Sequence, residues 1–337
     1  MGFGKMQPEM QIIPRKISLP WWPCLGYAGG MRAVLLFPGQ GAQQVGMGKD
    51  LMDAYPQARA LMEAADAALG RKLTDVMFNG PDAELTRTSN CQPALYVHGL
   101  AIWAVLKERV QIEPVAAAGL SLGEFTAHAA AGTFTMEDGL RLVEKRGALM
   151  EEACAAAAGG MAALVGGTPE AAEALAGACD VDVANFNCPG QIVLSGSVEG
   201  IEKAVAGAKE AGFKRGIKLN VAGAYHSRYM KPAQTALLPV LDATPMQAPA
   251  FPVYCNYGGR AVTGPDDTRV MLGAQVCGSV RWQACMEDLV AGGERLFIEM
   301  GPGTSLAGMM ARICADARVV SIQDAATLEA AVAELQG

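Results

Sequence analysis

Pro114-Val-Ala-Ala-Ala-Gly-Leu-Ser-Leu-Gly-Glu-Phe-Thr-Ala-His-Ala-Ala-Ala-Gly132 is the stretch that decides the fold. Residues 114–120 form an apolar run of strand length, and from Glu124 a helix-forming run continues to a stop at Gly132. Between them Gly119-Leu120-Ser121-Leu122-Gly123 matches GxSxG. A strand that turns directly into a helix crowds its flanks, so small residues must stand on either side of the serine, and the hydroxyl is pushed outward. The helix start adds unpaired amides and the positive end of a dipole beside that hydroxyl. A bare GxSxG string is a common turn; with a strand before it and a helix after it, the string predicts a nucleophile at Ser121.

Outward from this turn the same alternation continues. Ala33–Phe37 is a short apolar run ending in Pro-Gly, a helical stretch spans 49–69, and another spans 93–107. Residues 296–300 and 318–322 are two further buried strands. Buried strands alternating with helices predict a mostly parallel sheet covered on both faces. The middle of the chain differs. A strand (160–166) precedes a helix with Thr168 as its cap and Pro169 in its first turn, then two strands (181–187, 191–196) meet at Cys-Pro-Gly. A second helix and a strand over 213–221 complete a βαββαβ order, the ferredoxin-like pattern. The expected organisation is a large α/β domain over 31–154 and 223–337, with a ferredoxin-like domain inserted over 155–222.

Composition narrows the function classes. Of 337 residues 51% are apolar and 18% charged, which fits a globular chain. A net charge of -7 argues against nucleic acid. The nine cysteines never fall in CxxC spacing, so neither a zinc site nor a disulfide framework is expected. No apolar run has the length of a membrane helix. Residues 1–30 stand apart, with Lys5, Arg15 and Lys16 against Glu9 alone. They read either as the remnant of an organelle transit peptide or as an unstructured extension.

A serine needs a base, and only three histidines are available. His128 lies seven residues along the helix that Ser121 begins, ~10 Å away along its axis, which is out of reach. His98 falls inside an amphipathic helix. His226, in Gly-Ala-Tyr-His-Ser directly after the inserted domain, remains as the base.

Several further motifs occur in one order: Phe37-Pro-Gly-Gln-Gly-Ala-Gln43, Gly-Leu-Ser121-Leu-Gly-Glu124, Lys145-Arg-Gly147, Asn185-Phe-Asn-Cys-Pro-Gly-Gln191, Tyr225-His-Ser227, Gln275-Val-Cys-Gly-Ser-Val-Arg-Trp282 and Glu299-Met-Gly-Pro-Gly303. From Met31 onward the chain resembles the malonyl-CoA:acyl carrier protein transacylases, acyltransferases of fatty acid and polyketide synthesis. The resemblance implies an α/β-hydrolase-like larger domain with an inserted ferredoxin-like one. It implies that Ser121 carries the acyl group, that His226 is its general base, and that the amides of Gln40 and Leu122 form the oxyanion hole. Gln275 would orient His226 in place of an acid, Arg146 would pair with the malonyl carboxylate, and Asn185, Asn187 and Tyr225 would contact the substrate. Tyr225 beside the base would leave no room for a methylmalonyl branch. The partners implied are malonyl-CoA and an acyl carrier protein that brings its own phosphopantetheine; no cofactor or metal is needed, and a monomer is expected.

Leu120 stands where many members carry histidine, a form similar to plant and algal enzymes, so a plastid stroma is expected, with mitochondrial matrix and cytoplasm as alternatives. A basic patch of Lys214, Arg215, Lys218, Arg228 and Lys231 would receive an acidic carrier. Two other readings compete: a serine thioesterase or esterase whose acid partner is Asp180, Asp182 or Glu199, and a catalytically silent relative kept for assembly. A trans-acting acyltransferase of polyketide synthesis is a variant of the first reading.

Overall fold

The computed structural model describes residues 29–337, so the expected N-terminal extension lies outside the described residues except for Gly29 and Gly30. In chain order the large domain opens with β1 (Met31–Phe37), α1 (Lys49–Ala54), α2 (Pro56–Leu69), α3 (Leu73–Asn79), α4 (Asp82–Thr86) and α5 (Thr88–Arg109). It continues with β2 (Ile112–Gly119), α6 (Leu122–Ala130) and α7 (Met136–Ala156). The smaller domain holds β3 (Gly159–Val165), α8 (Pro169–Cys179), β4 (Asp182–Cys188), β5 (Gln191–Ser197), α9 (Val198–Gly207) and β6 (Arg215–Lys218). The chain then returns with α10 (Lys231–Ala243), β7 (Val253–Cys255), β8 (Arg260–Ala261), α11 (Pro265–Gln275) and α12 (Trp282–Ala291). It ends with β9 (Leu296–Met300), α13 (Ser305–Ile313), β10 (Arg318–Ile322) and α14 (Ala325–Gln336).

The large sheet runs β10-β9-β1-β2-β7-β8, parallel throughout except for the β7–β8 pair. Alternate residues of β1 feed opposite layers: Ala33, Leu35 and Phe37 face α5, α6 and α7, while Val34 and Leu36 join Trp282, Met286, Leu306 and Met310. Because both faces are covered, β1 reads as an unbroken apolar run. The small sheet is antiparallel in the order β4-β5-β3-β6, the ferredoxin-like arrangement, with α8 and α9 burying Leu175, Ile201 and Ala204 on it.

Several local expectations change. The helix over 49–69 is broken at Tyr55, which is extended because Pro56 follows it. The helix expected from Pro93 begins earlier, at Thr88, with Pro93 inside it. Proline there frees the carbonyl of Ser89, and Arg71 Nη2 donates to that oxygen at 3.3 Å. This helix is also not amphipathic: it is buried on all sides from Cys91 to Trp103. β7 and β8 are too short to leave a pattern in the sequence, and β6 covers only part of 213–221.

The two domains share a seam. Phe186 N donates to Val280 O (2.9 Å), Val280 N to Ala184 O (2.8 Å) and Ser279 Oγ to Val183 O (2.6 Å). Thus β4 is stitched to the segment between α11 and α12. At the β2–α6 turn the backbones touch: a Cβ on Gly119 would collide with the main chain of Gly123, and one on Gly123 with the Phe37 carbonyl. Gly123→Ala therefore should destabilise the protein by more than about 2 kcal/mol, since neither collision partner is a flexible side chain. Chemical denaturation checks this, and a wild-type midpoint would contradict the packing described.

Candidate active site

Ser121 sits at φ 52°, ψ −102°, a conformation that costs on the order of 1–3 kcal/mol for a residue with a side chain. Asn256, just past β7, holds it there. Its Oδ1 accepts from Ser121 N at 2.6 Å and its Nδ2 donates to Gly119 O at 2.8 Å. The Leu120 amide donates to Phe37 O at 3.0 Å, which ties the turn to β1.

The serine hydroxyl lies 2.7 Å from His226 Nε2, and His226 Nδ1 lies 2.9 Å from the carbonyl oxygen of Gln275. A carbonyl can only accept, so Nδ1 carries the proton and the Nε2 lone pair faces Ser121. Burial, then the charge of Arg146, push the imidazole down to about 4, so it is neutral at pH 7. This is the tautomer and charge a general base requires.

Arg146 reaches the same hydroxyl from α7 and is fully buried. Nη1 donates to Gln92 Oε1 (2.7 Å), Nη2 to Gln275 Oε1 (2.9 Å) and to Ser121 Oγ (3.1 Å), and the guanidinium lies 5.1 Å over the Phe125 ring. Burial lowers it to about 10, which leaves it protonated at neutral pH. Among the described residues none of its hydrogen-bond partners is a carboxylate, and Nε has no partner. A buried cation surrounded by neutral acceptors is a receptor for an anion.

A cavity of about 410 Å³ opens over Ser121 and His226, with Gln92, a partner of Arg146, in its wall. Gln40, Tyr225, Asn185 and Asn187 all line it. Tyr225 Oη is 2.7 Å from Thr88 Oγ1, and the Gln40 amide reaches both at 3.4 and 3.5 Å. Asn187 Oδ1 is buried without a partner among the described residues. Leu122 opens α6, and a Cβ on Gly39 would collide with the Leu120 carbonyl, so the Gly39-Gln40 backbone abuts the turn.

Other sequence expectations change in detail. Gln275 orients His226 with its main chain, not its side chain. The side-chain amide instead bridges Arg146 to Glu124 (Nε2 to Oε2, 2.7 Å) and to Ser121 O (2.9 Å). Arg228 is not a free cation, because Asp180 and Asp182 both bind its guanidinium. Those two aspartates are therefore occupied, and Glu199 pairs with Lys203, so none of the three serves as an acid for His226. His98 and His128 are core residues, the latter with Nδ1 3.0 Å from Thr133 Oγ1. Asn256, Gln92 and Thr88 were missed. Asn256 could have been sought where the strands of a parallel sheet end, the usual place for a site.

A strained serine and a neutral histidine lining one cavity, with a buried arginine bonded to the same serine hydroxyl, define an acyl-transfer site, and the acyl transferase domain family matches residues 34–329. The malonyl CoA-acyl carrier protein transacylase of Bacillus subtilis is 40% identical over 310 residues, covering 90% of this chain and 98% of that one. The acyl-carrier-protein-S-malonyltransferase structure from Bartonella henselae superposes with a TM-score of 0.85 at 36% identity, covering 91% and 100%. A type II PKS acyl-carrier protein in complex with its malonyl-transacylase matches at 0.85 and 35%, covering 90% and 99%. The chain belongs to the malonyl CoA-acyl carrier protein transacylase family.

The buried titratable groups predict an acid response. His98 and His226 are depressed to about 4 and His128 to about 3, all chiefly by burial, so each loses stability as pH falls through about 6.5. Glu124, raised by burial to about 7, works in the opposite sense. Near pH 5.5 the unfolded chain thus holds about two more protons at these groups, about 2.7 kcal/mol per pH unit. Denaturant midpoints at pH 7 and pH 5.5 test this, and an unchanged midpoint would contradict it.

Proposed function

We propose that this protein transfers the malonyl group of malonyl-CoA to the phosphopantetheine thiol of an acyl carrier protein in fatty acid synthesis, through a malonyl ester on Ser121. The observation that carries the reading is the Arg146 guanidinium, buried among neutral partners 3.1 Å from the serine oxygen. An acyl group on that oxygen that ends in a free carboxylate meets a ready cation; an acetyl group leaves it unpaired.

In the loading step Ser121 Oγ attacks the thioester carbonyl while His226 Nε2 takes the hydroxyl proton. Charge on the carbonyl oxygen is met by the amides of Gln40 and Leu122. The carbon–sulfur bond breaks and coenzyme A leaves with the proton from His226. The carrier thiol then gives its proton to His226, attacks the ester carbonyl and restores the Ser121 hydroxyl. Every group needed for these steps belongs to the chain or to the two substrates, so the reading calls for no further cofactor. Asn185, Asn187 and Tyr225 contact the substrate within the cavity, and Tyr225 fills the space an α-methyl branch would require. A plastid stroma is the location we assign, on the strength of Leu120 and the basic residues 1–30.

Intact-protein mass after brief exposure to malonyl-CoA tests the reading. A malonyl adduct is expected on wild type, none on Ser121→Ala, and loading slowed on the order of a hundredfold or more in Arg146→Ala. Absence of an adduct on wild type would remove the reading.

Lys214 and Arg215 are exposed and form no ion pair among the described residues, whereas Lys218 is tied to Glu202. They lie just before residues 219–222, which line the cavity. Lys214→Glu/Arg215→Glu should raise the carrier KM several-fold and leave malonyl loading unchanged. A wild-type carrier KM would exclude these two residues from docking.

A further inference from the structure

Behind the serine turn lies a carboxyl group that the transfer reaction does not use. Glu124, in the first turn of α6, has no solvent exposure. Its Oε2 accepts from Gln275 Nε2 (2.7 Å) and from Asn256 N (2.8 Å), while Oε1 is buried with no partner among the described residues. An ionised carboxylate has about four acceptor positions to fill, so this one is half satisfied. Its two partners are the residues that hold the site together. Asn256 fixes the Ser121 amide, and Gln275 gives its carbonyl to His226 and its side-chain oxygen to Arg146.

The orientation of the Gln275 amide follows from this arrangement. Its nitrogen faces two acceptors, Glu124 Oε2 and Ser121 O, so its oxygen must face the guanidinium. A buried cation and a buried carboxyl thus stand on either side of one amide. The other ionisable groups facing Glu124 are the thiols of Cys255 on β7 and Cys285 just inside α12, both raised by burial and neutral across the physiological range.

Building on the function proposed above, we infer that Glu124 is a positioning residue and the internal counter-charge of Arg146: relayed by Gln275, its anion weakens the hold of Arg146 on the malonyl carboxylate, so malonyl loading is coupled to proton uptake by Glu124. Electrostatics give the sign. With Glu124 neutral, Arg146 has its whole charge available to the substrate; with Glu124 ionised, the substrate carboxylate meets a cation already offset and a second buried anion. Burial raises Glu124 to about 7, and the other groups of the site stay clear of neutrality, His226 at about 4 and Arg146 at about 10. Between pH 6 and 8.5 Glu124 is therefore the group at the site that titrates.

The test is the KM for malonyl-CoA in the loading half-reaction across this range, for wild type and for Glu124→Gln, which retains an acceptor for Gln275 and Asn256. The ratio of the two KM values cancels ionisation of the substrate itself. It is expected to rise several-fold with pH while the kcat ratio moves less. A KM ratio that is flat with pH would overturn the inference. Should Glu124→Gln not fold, proton uptake by wild type decides, measured per malonyl loaded at pH 7 in two buffers of different ionisation enthalpy. Transfer between thioester and ester neither takes nor releases a proton, so a substantial fraction of one proton supports the coupling and none refutes it. A malonyl adduct on Ser121 accompanies either measurement; if it forms and the KM ratio is flat, only this inference fails, and if it does not form, the proposed function fails with it.

Discussion

The site depends on one tight reversal of the chain, the step from β2 into α6 at Ser121. Its cost is local and its support comes from a distance. Glycines on both sides let backbone meet backbone, β1 accepts the Leu120 amide, and Asn256 binds the turn from before and at the serine. The residue is over-determined by its surroundings, which is the condition under which a strained backbone persists in a folded protein. With the turn fixed, the hydroxyl can face His226 and Arg146 together, one to take its proton and the other to receive what becomes attached to it.

Charge is arranged sparingly around that hydroxyl. A carboxylate on His226 Nδ1 would favour the imidazolium, and it would also place a fixed anion close to the pocket for an anionic acyl group. A main-chain carbonyl selects the same tautomer without adding a charge. The same economy is visible at Arg146, whose direct partners are two glutamine oxygens and the serine. Neutral acceptors hold the guanidinium in place, and the carboxyl of Glu124 stands one amide further off.

Much of this was legible in the sequence, for identifiable reasons. β1, β2 and the GxSxG turn announce themselves because a strand buried on both faces is apolar without interruption and a crowded turn admits little besides glycine. The inserted ferredoxin-like order was readable from alternating strand and helix signals. Ser121 was readable from its turn and His226 by elimination, whereas Arg146 followed only from the family resemblance; the structure brings all three within one hydrogen-bonded group. What stayed hidden depends on contacts distant in the chain. Asn256 acts 135 residues from Ser121 and follows a strand of only three residues. Gln275 was located, but no pattern distinguishes a side chain acting on histidine from a carbonyl doing so. Arg228 looked like a free cation because its aspartates lie 46 and 48 residues away.

The seam between β4 and the segment around Val280 bears on how this protein could be rebuilt. The strand that carries Asn185 and Asn187 into the cavity shares hydrogen bonds with the stretch that runs on from Gln275, whose carbonyl orients His226. The ferredoxin-like unit is thus no interchangeable cassette. A chimera that grafts in a relative's insert to alter its choice of acyl chain would also re-aim the imidazole, unless residues 275–282 were transplanted along with it.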